Sequence, residues 1–356
     1  MRKVLRVIGI IIAAIIVIAV IYVANIYLAY SRIDDYMKLS PTNNGAKEAL
    51  AVGSEYEIVT QNIGFGAYTP DFTFFMDGGT ESWAKSADSV RELINLGADK
   101  VGEVDPDFVL FQEVDIDSTR SYHIDEEAIL ADRFDGYSYV SAVNYHSAFL
   151  PYPIIKPHGF CNGELLTLSK YDITDSMRRS LEISNSFSKL LDLDRCYSVS
   201  RIPVDNGKEL LIYNVHLSAY GSDAELKSSQ VRQLMDDMLN EYNSGNYCVC
   251  GGDFNCDFTG TSLPLFNNGI TEYKDWVYPF PEELIPDGIV RCRDYSCGED
   301  RCTVRDCDLP YEEGNFTAIV DGFFVSDNVE VTYLENIQAG FEYSDHNPVT
   351  MRFVLQ

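Results

Sequence analysis

Hydrophobic and polar positions divide the chain into three tracts. From Val7 to Ala24 the residues are uncharged and mostly branched and apolar, and no charge occurs between Arg6 and Arg32. As a helix rising 1.5 Å per residue, this run covers about 27 Å, close to the roughly 30 Å hydrocarbon core of a bilayer. Tyr22, Tyr27 and Tyr30 flank it, where rings suit a membrane interface. A cleaved signal peptide shares these ingredients, but its apolar region normally runs about 7–15 residues and ends in a small-x-small site. This run is longer and lacks a convincing site, so a retained transmembrane anchor is expected over 7–30, after a basic tail over 1–6. Arg2, Lys3 and Arg6 predict a cytoplasmic N-terminus, with the rest of the chain outside the cytoplasm and the protein a single-pass resident of the cell membrane. Residues 31–54 read as a polar connector.

From Tyr56 onward, short apolar strands alternate with amphipathic helices. Strands are expected at Tyr56–Asn62, Phe108–Phe111, Tyr137–Val143, Leu165–Ser169, Leu210–His216, Tyr247–Cys250, Ile319–Val325 and Val349–Leu355. Helical spacing predicts Ser86–Val101, with Val90, Leu93, Ile94 and Ala98 on one face. It also predicts Asp223–Tyr242, with Val231, Leu234, Met235, Met238 and Leu239 together. Asp105-Pro106-Asp107 ends the first helix. No internal repeat is evident. Residues 275–316, rich in Pro, Cys and charge, read as a long Cys-containing loop inside a domain spanning 55–356.

Charge narrows the partners. The net charge is −28, and the first 32 residues carry four basic side chains and no acidic ones, so the remainder stands near −32 (−28 − 4). Such a body is poorly suited to gripping long nucleic acid through its phosphates, and favours a small, neutral or zwitterionic substrate. Arg291, Arg293, Arg301 and Arg305 could form a local basic patch, but Asp294, Glu299, Asp300, Asp306 and Asp308 nearly cancel them. Of nine cysteines, Cys292, Cys297, Cys302 and Cys307 are evenly spaced. Disulfides, a metal site and free thiols all remain open for these four, although the C-x2-C pairs usual for zinc are missing. Cys248 and Cys250 alternate along a strand and read as small buried hydrophobes.

Candidate chemistry follows one rule. Asn62, Glu113, His216, Asp253 and Asn255 each lie at or just beyond the end of an apolar strand, and in layered α/β folds such ends form the rim of a ligand crevice. Gly251-Gly252-Asp253-Phe254-Asn255 puts a carboxylate and a carboxamide two residues apart, and Ser344-Asp345-His346 puts a carboxylate beside an imidazole. A metal-assisted attack on a phosphate ester needs these groups: a carboxylate for a cation or water, an amide to orient an oxygen, and an imidazole to move a proton. His146 and His158 read as loop histidines.

The ordered set TQNI (60–63), DPDFVLFQEVD (105–115), NGELLTLSKYDI (162–173), YNVHL (213–217), GGDFN (251–255), VDGFFVS (320–326) and SDHNPV (344–349) resembles the endonuclease/exonuclease/phosphatase superfamily, in its deoxyribonuclease and sphingomyelinase branches. The resemblance covers about 55–356. It implies an α/β fold: a four-layer α/β sandwich of two mixed sheets flanked by helices, here preceded by one transmembrane helix. It also implies a hydrolase that cleaves a phosphoester by in-line attack of water. Glu113, Asn62 and Asp345 would be metal ligands, for Mg²⁺ or Mn²⁺. Asp253 would position and activate the water, and Asn255 would orient that carboxylate or the phosphate. His346 would contact the phosphoryl group with Asp321 behind it, and His216 would protonate the leaving oxygen. Asn162 would contact substrate. The expected partner is a phosphodiester, either a lipid headgroup or a nucleic acid, and no protein partner is inferred. The alternatives are a phosphomonoesterase for inositol-type phosphates and a non-catalytic surface-binding module of the same fold.

Overall fold

The computed structural model describes residues 2–356 apart from 30, 45–48, 185–193, 220–223, 268, 271 and 297. Tyr30, Asp223 and Cys297 therefore lie outside the described residues. Helix α1 (Arg2–Ala29) carries the N-terminal apolar run; it is long and apolar enough to cross a membrane, with its apolar window unburied.

Two sheets pack face to face. The first has seven strands in the order β1 (Met37–Leu39), β6 (Asp175–Ser180), β7 (Cys196–Pro203), β8 (Glu209–His216), β9 (Tyr247–Asp253), β13 (Asp321–Ser326) and β10 (Ile289–Cys292). The second has six, in the order β14 (Val329–Asn336), β15 (Val349–Leu355), β2 (Glu55–Asn62), β3 (Phe108–Asp115), β5 (Gly159–Ser169) and β4 (Ser138–Leu150). Each sheet contains parallel and antiparallel neighbours: β2–β3 and β8–β9 are parallel, and the other pairs are antiparallel. A two-stranded ribbon of β11 (Val304–Arg305) and β12 (Thr317–Ala318) stands apart.

The two-residue period of a strand makes the layers. Ile58, Phe108 and Leu110 of the second sheet meet Leu210, Ile212, Tyr247 and Val249 of the first in the central core. Their neighbours Val59, Val109 and Phe111 face outward, onto α2 (Ala87–Gly102) and α3 (Glu126–Arg133). Leu211, Tyr213, Cys248 and Cys250 face outward on the other side, onto α4 (Ala224–Asn243). The result is the four-layer sandwich: helices, sheet, sheet, helix. Ser86 starts α2 by accepting the Ser89 amide at 3.1 Å, as a serine N-cap does. Just beneath the rim, buried amides join the sheets: Gln112 Nε2 donates to Asn214 Oδ1 at 2.8 Å, and Asn214 Nδ2 donates to Phe111 O at 3.2 Å.

Two tracts differ from the sequence reading. Residues 31–54 are not only a connector. Met37–Leu39 pairs with β6 as an edge strand, Thr42 bridges Tyr139, and Leu50 is fully buried in the central core. Three residues of strand among polar neighbours are too short to show a period. Residues 275–316 are not wholly loop: they include β10, which pairs with β13, and β11. Cys292, Cys302 and Cys307 are free thiols.

Candidate active site

The parallel strands β8 and β9 end, and the antiparallel β13 begins, at the same rim. Register therefore puts His216 beside Asp253, and Asp253 beside Asp321, as one row across three strands. Close backbone approach makes this possible: a Cβ on Gly252, whose φ is +152°, would sit 2.0 Å from Val215 O. The opposite sheet adds its own groups at the same height. Asn62 ends β2, and Asp345 and His346 immediately precede β15, whose first residue Val349 pairs with Thr60. Glu113 arrives differently. The β3–β5 register shifts between Phe111 and Val114, and Glu113 takes φ +56°, a left-handed conformation rare for a residue with a Cβ. Such a bulge turns a side chain that a regular strand would direct elsewhere.

These groups converge. His216 Nε2 lies 3.5 Å from Asp253 Oδ2 and 4.0 Å from Glu113 Oε1. His346 Nε2 lies 3.8 Å from the same Asp253 oxygen, and its Nδ1 is 2.8 Å from Asp321 Oδ2. Asn62 Nδ2 donates to Asp253 Oδ2 at 3.1 Å and to Glu113 Oε1 at 3.3 Å, while its Oδ1 accepts the Gly64 amide at 3.0 Å. Asn255 closes an Asx turn, its N–H donating to Asp253 Oδ1 at 2.8 Å, and its side-chain amide donates to Leu217 O at 2.9 Å. Asn162 is held differently: its backbone bonds Ser118 and Ile116, and it is its neighbours Gly163 and Glu164 that line the cleft.

The two imidazoles sit in opposite electrostatic settings. Burial pushes the His216 pKa well down, helped by Arg195, His346 and Arg120. Burial also acts against a charge on His346, but Asp321 and Asp253 outweigh it and hold its pKa up to about 10. Near neutral pH, His346 is a cation and His216 is neutral. Burial raises the carboxyl of Asp253 to about 6, with Asp321 adding to the rise against His346. Asp345 is also raised to about 6, by burial first, with Glu113 adding to the rise.

This crowd of carboxylates fits a hard dication. Asp321 Oδ1 is buried without a hydrogen-bond partner. Asp253, Asp321 and His346 each present a possible ligand atom within 4.8 Å of the others. Two carboxylates beside an imidazole could hold a divalent metal.

The cleft around them has a cavity volume of about 110 Å³. Several lining residues were not singled out from sequence: Arg120, Tyr145, Glu164, Arg195 and Trp276; Arg305, read there only as part of a basic patch, lines it too. Arg120 is paired bidentately with Asp115, at 2.9 and 3.0 Å, and lies 3.7 Å over the Phe65 ring. His158, read as a loop histidine, is buried and lines the cleft, with Nδ1 3.2 Å from Ser82 O; burial lowers its pKa to about 3. An arginine in a helical turn and a histidine after a proline carry no periodic signal that would have marked them.

Residues 59–346 match the model of the Endonuclease/Exonuclease/phosphatase family. The chain belongs to this family. Its members are phosphoester hydrolases that typically use a divalent metal. No curated protein sequence matches the chain. Solved structures of the endonuclease/exonuclease/phosphatase fold do. One from Beutenbergia cavernae DSM 12333 is 18% identical, with a TM-score of 0.54, over 85% of this chain and 72% of that one. The human Nocturnin catalytic domain, solved with a bound sulfate anion, is 15% identical, with a TM-score of 0.52, over 89% of this chain and 98% of that one. ANGEL2, a 2′,3′-cyclic phosphatase solved with adenosine-2′,3′-vanadate, is 14% identical, with a TM-score of 0.54, over 90% of this chain and 99% of that one. At these identities the likeness is one of fold.

Proposed function

We propose that this family member is a membrane-anchored phosphodiester hydrolase dependent on Mg²⁺ or Mn²⁺. The observation that carries the reading is the sharing of Asp253 Oδ2 by two imidazoles in opposite charge states, with Asp321 behind one of them. Glu113 and Asp345, with Asn62 beside them, would hold the cation. When bound, it supplies positive charge to the phosphoryl oxygens and to the leaving oxygen. His346, kept cationic by Asp321, donates a hydrogen bond to a phosphoryl oxygen. Asp321 also fixes the ring, since its carboxylate accepts a hydrogen bond from Nδ1–H and leaves Nε2–H to face the cleft. Asp253 orients the attacking water and accepts its proton, and Asn255 locks that carboxylate through the Asx turn. The proton that Asp253 takes from the water passes to the neutral imidazole of His216, 3.5 Å away, and on to the leaving oxygen, so both side chains end the turnover as they began it.

α1 supplies the anchor. Arg2, Lys3 and Arg6 favour a cytoplasmic N-terminus, which puts the 55–356 domain outside the cytoplasm. The test is hydrolysis of bis(4-nitrophenyl) phosphate, plasmid DNA, sphingomyelin and inositol phosphates, each with Mg²⁺ and with chelator. Metal-dependent turnover of a diester supports the reading. Turnover of monoesters alone would replace it with a phosphomonoesterase, and no turnover of any would leave a binding module of the same fold.

A further inference from the structure

The two longest stretches of this acidic chain without an Asp or Glu are residues 1–33 and residues 136–163. The second is 28 residues long and contains β4, the connecting turn and the start of β5. The two stretches touch: Tyr22 OH donates to Phe149 O at 2.9 Å, and Ile26 of α1 is buried. Tyr22 lies near the end of α1's apolar run, the level at which an anchor leaves the hydrocarbon core. Phe149 is thus held at the height of the interface. Beyond it, the hairpin turn exposes Ile154 at 86%, Ile155 at 99% and Tyr152 at 64%, while Phe160 packs on Phe149 with ring centroids 5.3 Å apart. Two adjacent, almost fully exposed isoleucines in an acid-free turn next to an apolar helix have no use for water.

The same hairpin is a wall of the cleft. Asn144 and Tyr145 of β4, His158, and Gly163 and Glu164 of β5 all line it. Ring contacts lead inward from the turn: Tyr152 to Phe75 at 5.8 Å, Phe75 to His158 at 5.4 Å, and His158 to Phe74 at 6.0 Å.

We propose that the β4–β5 turn, centred on Ile154 and Ile155, seats in the bilayer beside α1, and that the cleft therefore takes phosphodiester headgroups of bilayer lipids. The proposal rests on the readings of α1 as an anchor and of the cleft as a phosphodiesterase site. Charge supports it: an acid-free hairpin bearing Lys156 puts no acidic side chain of its own against an anionic interface.

The test uses the full chain reconstituted in vesicles of phosphatidylcholine, phosphatidylglycerol and sphingomyelin. In the first arm, Ile155→Trp adds an indole whose emission should be quenched by lipids brominated on their acyl chains. Val290→Trp, on β10 at the far edge of the first sheet from β1, should not be quenched. Equal quenching, or none at position 155 in protein that floats with the vesicles, overturns the seating; failure to float would instead reject the anchor. In the second arm, Ile154→Asp/Ile155→Asp should slow hydrolysis of vesicle phosphodiester lipids by roughly tenfold or more, with turnover of soluble bis(4-nitrophenyl) phosphate unchanged. Soluble turnover without any lipid turnover, or equal loss on both, overturns the lipid assignment. Absence of both activities in the parent protein would sink the catalytic reading, and the quenching alone would then decide the seating.

Discussion

The two sheets build their halves of the site by different means. The seven-stranded sheet supplies His216, Asp253 and Asp321 as a regular row, in register across β8, β9 and β13, all buried to 2% exposure or less. The six-stranded sheet supplies Glu113 from a bulge with a left-handed backbone, and its carboxylate keeps 27% of its side-chain surface exposed. The buried half is fixed by pairing and tunes proton affinities by desolvation. The irregular half aims a solvated carboxylate at the place where a cation can enter. Precision comes from the ladder, and access comes from breaking it.

Substitutions can break either half. Glu113→Ala removes the irregular half's carboxylate and should lower metal-dependent diester hydrolysis by roughly 10²–10³-fold, with melting temperature nearly unchanged because the side chain is partly solvated. Loss of folding with loss of activity would instead make Glu113 structural. Asp321→Asn strikes the regular half from behind. It should cost roughly 10–100-fold in kcat with little change in KM, and its pH–rate profile should move to lower pH as His346 loses its counter-charge. An unchanged profile would separate Asp321 from His346.

Gly252→Ala probes the ladder itself. With a Cβ forced against Val215 O, it should destabilise the domain by about 2–3 kcal/mol or more, read as a lower midpoint in urea. A neutral result would mean that the row tolerates shifts the geometry forbids. The smallest effect is expected at Glu164, beside the bulge. Burial first, and Glu127 next, raise its carboxyl to about 8. The folded state therefore keeps a proton that the unfolded chain, with an ordinary value of about 4.3, releases. Its contribution to stability is present at low pH and is lost as pH rises through about 8. Glu164→Gln should flatten the fall in melting temperature between pH 5 and 8.5, and parallel curves for the two proteins would remove Glu164 from that role.

The same contrast explains what was legible in the sequence. The central strands β2, β3, β8, β9, β13 and β15 and the helices α2 and α4 announce themselves because each buries a face, and burial imposes a period. Polar residues at the ends of those strands stand out against it, so Asn62, Glu113, His216, Asp253 and Asn255 could be named from the pattern; Asp345 and His346 stand out as a carboxylate beside an imidazole, and Asp321 comes only from the family resemblance. The edge strand β1 is too short to show a pattern, and its neighbour β6 buries Ser176, Arg178 and Arg179 rather than apolar side chains. The cleft's outer wall was hidden for another reason. Arg120 sits in a single helical turn, Arg195 just before β7 and Arg305 in the two-residue β11, and their neighbours are set by topology rather than by local spacing. Asn162 stands next to residues that do line the cleft, but its own backbone is tied to Ser118 and Ile116.

The central claim is that Glu113, with Asp345 and Asn62 beside it, holds one hard cation against the buried row of His216, Asp253 and Asp321. Mn²⁺ binding to the full chain, followed by electron paramagnetic resonance, tests it without relying on turnover. The account predicts one tight site, displaced by Mg²⁺ and lost in Glu113→Gln while the circular dichroism spectrum is retained. Equal Mn²⁺ binding by parent and variant, or no saturable site in either, would contradict it.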